Sequence, residues 1–178
     1  MITIAFIAAM FLGLVLQHFV GAVPGFGSQI MLMPVIFLCG AAALPVWNML
    51  VLAFTAGLMW DCMHFMPVEG RVDFPFGGTI LLYAGIGGMM NGLRPLYLRG
   101  LWFIHAAAAG VLTATLVLVE YVIITFRREP FALVWPREVW TRIGGTALVT
   151  AFLAAPLFLF LNWAGRRAGL FTSRRAAI

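Results

Sequence analysis

The fold class follows from the first 60 residues, which read MITIAFIAAMFLGLVLQHFVGAVPGFGSQIMLMPVIFLCGAAALPVWNMLVLAFTAGLMW from Met1 to Trp60 and contain no Asp, Glu, Lys or Arg. A water-exposed surface needs charged and polar side chains, whereas the hydrocarbon interior of a bilayer accepts an uncharged apolar stretch. This part of the chain is therefore predicted to lie inside a membrane.

The composition of the whole chain points the same way. Of the 178 residues, 63% are hydrophobic and 10% are charged, and the mean hydropathy is +1.05. Soluble domains are about half apolar and a quarter charged, so this composition falls outside their class. The apolar run from Ile2 has no basic segment before it, and we interpret it as a first membrane helix rather than a signal peptide. Cys39 and Cys62 lie in apolar runs and indicate no disulfide framework.

Six segments are apolar over about the length that spans a bilayer, and they predict an all-α polytopic membrane protein with a bundle of six transmembrane helices. The predicted spans cover residues 2–20, 29–44, 45–65, 77–93, 100–126 and 142–164, within a single transmembrane domain over residues 1–165. Residues 67–75 form the clearest loop, and residues 127–141 mix aromatic and basic side chains as expected along the outer membrane interface. No loop is long enough for a soluble domain such as an ATPase.

The net charge of +5 comes from eleven arginines, since the chain has no lysine. The arginines lie at the ends of apolar segments, which favours a role in membrane topology over nucleic-acid binding. With six spans, Arg94, Arg99 and the four arginines of a basic tail over residues 166–178 share one side. Six arginines on that side against five on the other predict that both termini are cytoplasmic.

The third predicted span carries an acid within a small-residue seam. Ala53, Gly57, Asp61 and His64 share one helical face, and the two small residues allow a neighbouring backbone to approach closely. Ionisable groups inside a membrane are costly and need a reason. Asp61 is either a proton or cation site, or a helix-end carboxylate that accepts hydrogen bonds from following backbone amides or pairs with His64.

The fifth predicted span carries a second acid. His105, Thr113 and Glu120 lie on one side of its helical wheel. Glu120 either makes a structural hydrogen bond between helices or belongs to a partner-binding or ligand-binding site. The candidate partners for a structural bond are Arg127, Arg128 and His64.

Asp61, His64 and Glu120 fall in the outer half of the membrane under the predicted orientation. Their shared depth predicts a polar spot that is suited to a partner's transmembrane helix or to a polar ligand.

The fourth predicted span has glycines at regular spacing. Gly85, Gly88 and Gly92, together with Asn91, predict another close-packing face. The sequence has no HExxH, CxxC or GxSxG motif and no phosphate-binding loop, and its three histidines are scattered. We therefore expect no catalytic site, no metal and no cofactor.

Several of these features occur together in one known family. They are Leu16-Gln17 at the end of the first span, Pro34 in MLMPVIFL, Gly57 and Asp61 in FTAGLMWDCMHF, FPFGG before the fourth span, the basic exit NGLRPLYLRG, the late acid Glu120 and the basic end NWAGRRAG. With this pattern the chain resembles the bacterial rod shape-determining protein MreD family over nearly its full length. It departs from the family pattern in a longer loop over residues 67–74 and in a tail without lysine.

The resemblance implies a non-enzymatic subunit of the cell-elongation complex in the bacterial inner membrane, which supports peptidoglycan synthesis and cell shape. Its partners would be an MreC-type bitopic protein, through it MreB and the peptidoglycan synthase pair, and membrane lipids. The family is similar in fold to the substrate-binding S-components of energy-coupling-factor transporters. The small-residue seams would dock the MreC helix, and buried hydrogen bonds of Asp61 and Glu120 would fix its register.

Two other functions remain open at this point. One is a substrate-binding subunit of a vitamin transporter, with Ala5 and Ala9 as its docking face on a coupling subunit. The other is a membrane enzyme that acts on lipids through Asp61 and Glu120. Loss of activity in both Asp61→Asn and Glu120→Gln, with assembly intact, would indicate the enzyme.

Overall fold

The structure, a computed structural model, describes residues 1–20, 30–64, 67–68, 71–72, 77–127 and 137–167. Within these ranges the chain is helical apart from one short β pair. The helices are α1 (Ile2–Val20), α2 (Leu32–Ala43), α3 (Val46–His64), α4 (Gly78–Gly92), α5 (Arg94–Leu98), α6 (Trp102–Arg127) and α7 (Arg137–Arg167). In the predicted loop, β1 (Pro67–Val68) pairs antiparallel with β2 (Arg71–Val72), with Val68 opposite Arg71.

Four helices, α1, α3, α6 and α7, are long and apolar enough to cross a membrane by length and composition. They make the chain compatible with a multi-pass membrane protein. The second and fourth predicted spans also form helices, but α2 has 12 residues and α4 has 15. Both are shorter than the roughly 17 residues of a typical span, so the predicted bundle of six spanning helices is matched only in part.

The largest differences from the predicted spans concern α5 and α7. Helix α7 begins at Arg137 rather than at residue 142, so residues 137–141 belong to a helix. Pro136 precedes this start in the sequence and Glu138 lies in the first helical turn, and both residue types favour a helix N-terminus. Helix α5 was not predicted. Arg166 and Arg167 continue α7, whereas residues 128–136 and 168–178 lie outside the described residues.

Helix α2 forms the centre of the bundle. Nine of its twelve residues are buried, and it contacts all six of the other helices named above. A helix that is apolar on every side is expected to be surrounded by other helices. The Phe37 ring packs edge-on against Tyr83 of α4, with ring centroids 5.0 Å apart. The central position of α2 explains why a helix too short to span is still wholly apolar.

The C-terminal end of α2 is completed by a side chain from α4. The carbonyl of Ala41 cannot accept the usual helical hydrogen bond from four residues later, because that residue is Pro45 and has no N–H. Asn91 Nδ2 donates instead to the carbonyl oxygens of Ala41 and Leu44, both at 2.7 Å. The sequence placed Asn91 only in a glycine-rich face, and its capping role depends on the tertiary fold.

Replacing Asn91 by aspartate is expected to destabilise the protein. The change keeps the size of the side chain but removes the amide donor and places carboxylate oxygens against two carbonyl oxygens. Leaving buried polar groups unpaired costs about 1–3 kcal/mol, so we expect a lower melting temperature of the detergent-purified protein. Asn48→Asp is the matched control, because an aspartate in the first turn of α3 is favoured by the helix dipole. Equal melting temperatures for the two variants would contradict the capping role.

Helices α6 and α7 approach each other closely at Gly110. A Cβ atom at Gly110 would lie 2.7 Å from the Ala147 carbonyl oxygen and 3.0 Å from the Ala151 Cβ. Gly110 therefore belongs to the contact between these two long helices.

Candidate functional site

Asp61 joins the end of α3 to the start of α4. Its side chain is 5% exposed. Oδ2 accepts a hydrogen bond of 2.6 Å from the Gly77 backbone N–H, and Oδ1 accepts one from the Thr79 hydroxyl. Thr79 Oγ1 also lies 2.9 Å from the Gly57 carbonyl oxygen, and its single hydrogen serves one acceptor at a time. The geometry corresponds to the structural interpretation of Asp61, a helix-end carboxylate that binds a following backbone amide.

The seam on α3 is filled by α4 of the same chain. A Cβ atom at Gly57 would lie 2.5 Å from Ile80 Cα and 2.6 Å from the Ile80 backbone nitrogen. Ala53 is 1% exposed. The close approach predicted from the small residues is present, but α4 itself is the neighbour. The seam therefore has no room for a partner's helix, and Asp61 cannot set the register of one.

Glu120 of α6 has neighbours on α3 and α7 in the described part of the chain. The Trp60 side chain hydrogen-bonds its carboxylate, and Arg142 of α7 is close enough to attract it. Arg128 and the side chains of Arg127 and His64 lie outside the described residues, so the pairings predicted with them stay predictions. Trp60 follows Ala53 by seven residues and so lies near the same face of α3 as the seam, but no periodicity in the sequence connects it with Glu120.

A cleft lies beside Glu120, between α6 and α7. Its volume is about 240 Å³. The residues that line it combine apolar and charged side chains; they are Val117, Glu120, Tyr121, Ile124, Glu138, Val139, Arg142 and Ile143. Glu120 Oε1 is buried and finds no hydrogen-bond partner in the described part of the chain.

Asp61 and Glu120 share one end of the bundle, and His105 lies at the other. The two carboxylates are close enough to repel each other electrostatically, whereas their depth in a membrane stays a prediction. His105 precedes Glu120 by 15 residues on α6, which corresponds to about 22 Å along the helix. The sequence grouped these residues as one set of candidates, whereas the fold separates His105 from the two acids.

His105 is fully buried and connects α6 to the segment around α5. Its Nε2 lies 3.0 Å from the Leu93 carbonyl oxygen, and its Nδ1 lies 3.3 Å from that of Leu101. Its ring packs against Tyr97, with centroids 5.2 Å apart, and against Phe158 of α7 at 5.7 Å. These contacts give His105 a structural role.

The predicted close-packing face of α4 is open within this chain. At Gly85, Gly88 and Gly92, a Cβ atom would meet nothing within 4 Å among the described residues. Gly87, on the opposite side of α4, makes the close approach instead, since a Cβ atom there would lie 2.7 Å from Phe37 Cζ and 2.9 Å from the Met49 sulfur. We call the open surface the α4 glycine face, defined by Gly85, Gly88 and Gly92. No described helix of this chain packs on this face, because α4 turns its other side to the core, and the close packing predicted for it stays a prediction.

Across the described ranges, no group of three or more His, Cys, Asp or Glu side chains is arranged to hold a metal ion. Comparison of the chain with family models, with curated proteins and with solved structures finds no match.

Proposed function

We propose that the chain is a non-enzymatic inner-membrane subunit of the bacterial cell-elongation complex, similar to the MreD family. In this role it binds the transmembrane helix of an MreC-type bitopic protein and, through it, MreB and the peptidoglycan synthase pair. The proposal places both termini in the cytoplasm and the end of the bundle with Asp61 and Glu120 at the outer leaflet.

The observation that supports partner binding is the α4 glycine face. Its three glycines lie on one side of the helix over about 10 Å, with the exposed side chains of Leu81 and Met89 beside them. In membranes, glycines at this spacing let two helix backbones approach closely, and van der Waals packing then drives association. A surface of this kind fits an apolar transmembrane helix.

The contacts of the candidate acids support a structural subunit over an enzyme. Both carboxylate oxygens of Asp61 accept hydrogen bonds from α4, and Glu120 binds Trp60. General acid–base catalysis needs a group within hydrogen-bond reach of a substrate. The hydrogen bonds of Asp61 occupy both of its carboxylate oxygens, which supports a structural role for this residue.

The test is a pull-down of the tagged chain from native membranes, with bound proteins identified by mass spectrometry. The informative variant is Gly88→Ile, which adds a bulky side chain to the α4 glycine face. Gly144→Ile is the matched control, since Gly144 of α7 is also exposed and open within the described helices. We expect Gly88→Ile to reduce recovery of an MreC-type protein about tenfold, equivalent to roughly 1.4 kcal/mol, and Gly144→Ile to leave it unchanged.

Two results would contradict the proposal. Equal recovery with both variants would show that the α4 glycine face does not bind the partner. Recovery of an ATPase and a coupling subunit in place of the MreC-type protein would support the vitamin transporter instead.

A further inference from the structure

We propose that the cleft between α6 and α7 binds the headgroup of an amine-bearing phospholipid of the phosphatidylethanolamine type, with Glu120 receiving the ammonium group and Arg142 the phosphate. The site lies on different helices from the α4 glycine face and does not depend on partner binding.

The first reason is the state of the Glu120 carboxylate. One of its oxygens is buried without a partner among the described residues, while the side chain lines the cleft. A buried carboxylate oxygen that lacks a donor carries a large desolvation cost. The Trp60 hydrogen bond supplies one donor, and an ammonium group in the cleft supplies up to three more N–H donors together with a compensating positive charge.

The second reason is the charge pattern of the cleft. Glu138 and Arg142, one helical turn apart on α7, line the same cleft as Glu120. Two carboxylates with one guanidinium match a zwitterion whose ammonium and phosphate are a few bonds apart. Guanidinium binds phosphate well because of its planar set of donors. A purely anionic headgroup would bring its phosphate next to two carboxylates and has no positive charge to offset that of Glu120.

The third reason is the position of the cleft along the helices. Arg142 lies close to the start of α7 at Arg137, and Trp140 in the same turn is 58% exposed. Exposed tryptophan rings and arginines are typical of the headgroup level of a bilayer. Glu120 lies seven residues before the end of α6 at Arg127, a depth of about 10 Å. The charged part of the cleft thus lies where a headgroup meets the hydrocarbon region.

The fourth reason is the size and lining of the cleft. Its volume of about 240 Å³ is below the roughly 300–1,000 Å³ of pockets that enclose a drug-sized ligand. A small headgroup fits this volume better than a vitamin does. Val117, Ile124, Val139 and Ile143 line the remaining surface, and they suit the glycerol and first methylene groups of a lipid.

Native mass spectrometry of the detergent-purified protein tests this site. The protein is titrated with phosphatidylethanolamine, phosphatidylcholine and phosphatidylglycerol of identical acyl chains. Phosphatidylcholine keeps the positive charge but has no N–H donor for Glu120. We expect phosphatidylethanolamine to bind the unmodified chain roughly tenfold more tightly than phosphatidylcholine, as for a charge-assisted hydrogen bond in a buried site.

Two variants separate the roles of the charged residues. Glu120→Gln, which keeps the shape of the side chain, is expected to abolish the preference for phosphatidylethanolamine over phosphatidylcholine. Arg142→Gln is expected to weaken binding of all three lipids and to keep that preference. Thr115→Val is the control, because Thr115 is on the lipid-exposed side of α6 and does not line the cleft; its lipid binding should equal that of the unmodified chain.

The proposal is overturned if the unmodified chain binds phosphatidylethanolamine and phosphatidylcholine equally, or if Glu120→Gln keeps the preference. If the Glu120 variant does not remain monodisperse, the proposal is still tested by the Arg142 variant and by the comparison of the three lipids on the unmodified chain. Displacement of the lipid by an equimolar amount of soluble phosphoethanolamine would show that the ligand is a free metabolite and would overturn the lipid assignment.

Discussion

Replacing Gly57 by leucine is expected to lower the melting temperature of the protein by about 10 °C or to prevent its folding. Any Cβ atom at this position would lie 2.5 Å from Ile80 Cα, an atom of the α4 backbone. A side-chain atom can move aside, but here the whole of α4 must shift. Overpacking of this kind costs about 3 kcal/mol or more, and each kcal/mol corresponds to roughly 2–4 °C in a domain of this size.

The matched control for this variant is Gly85→Leu, which adds the same side chain to α4 on its open face. We expect Gly85→Leu to keep the melting temperature of the unmodified protein while weakening partner recovery. Fluorescence-detected size-exclusion chromatography and a thermal melt in the same detergent measure both variants. If Gly57→Leu and Gly85→Leu have the same melting temperature, the expected close contact between α3 and α4 at Gly57 is contradicted.

Replacing Asp61 by alanine is expected to have the second large effect, a decrease of about 2 kcal/mol in the free energy of unfolding. The change leaves the Gly77 N–H at the start of α4 without its acceptor. Unpaired buried groups cost about 1–3 kcal/mol, although hydrogen bonds between membrane helices contribute less, about 0.6 kcal/mol on average. Thermal unfolding in detergent measures the loss.

Asp61→Asn is expected to restore stability close to that of the unmodified protein. Its carbonyl oxygen accepts from the Gly77 N–H, its amide group donates to Thr79 Oγ1, and the Thr79 hydroxyl then donates to the Gly57 carbonyl oxygen. Each of these polar groups then has a hydrogen-bond partner, although the side chain carries no charge. An asparagine variant as unstable as the alanine variant would mean that the negative charge itself is needed.

The asparagine variant also separates a structural subunit from an enzyme. A subunit that binds its partner through the α4 glycine face should recover that partner normally when Asp61 is replaced by asparagine. A membrane enzyme that uses Asp61 as an acid or base would lose its activity in a protein that is folded and assembled. Partner recovery and stability in the same preparation therefore distinguish the two functions.

The two ends of the bundle have different kinds of polar residue contacts. At the Asp61 end, the Glu120 carboxylate faces a cleft with one oxygen unpaired in the described chain. At the other end, His105 and Asn91 direct their polar groups to backbone carbonyl oxygens of neighbouring segments. Because the Asp61 end combines a buried unsatisfied carboxylate oxygen with an adjacent cleft, we assign the ligand site there.

The sequence alone determined that the chain is helical and apolar enough for a membrane, and approximately where its helices lie. Composition and the length of apolar runs are local properties, so they can be read without knowledge of the neighbours. The close approach at Gly57 was also predictable, because two small residues on one helical face leave room for a backbone whatever its origin.

Only the tertiary structure decided which helix fills each surface. The spacing of Gly85, Gly88 and Gly92 is the same whether this face of α4 is packed or open. In the structure, Gly87 faces the core instead. Trp60 hydrogen-bonds Glu120, and Asn91 hydrogen-bonds the C-terminal end of α2, although the partners are far apart in the sequence. No periodicity in the sequence predicts these contacts. A helical repeat specifies the direction of a side chain around its own axis, whereas the identity of its neighbour depends on how all the helices pack together.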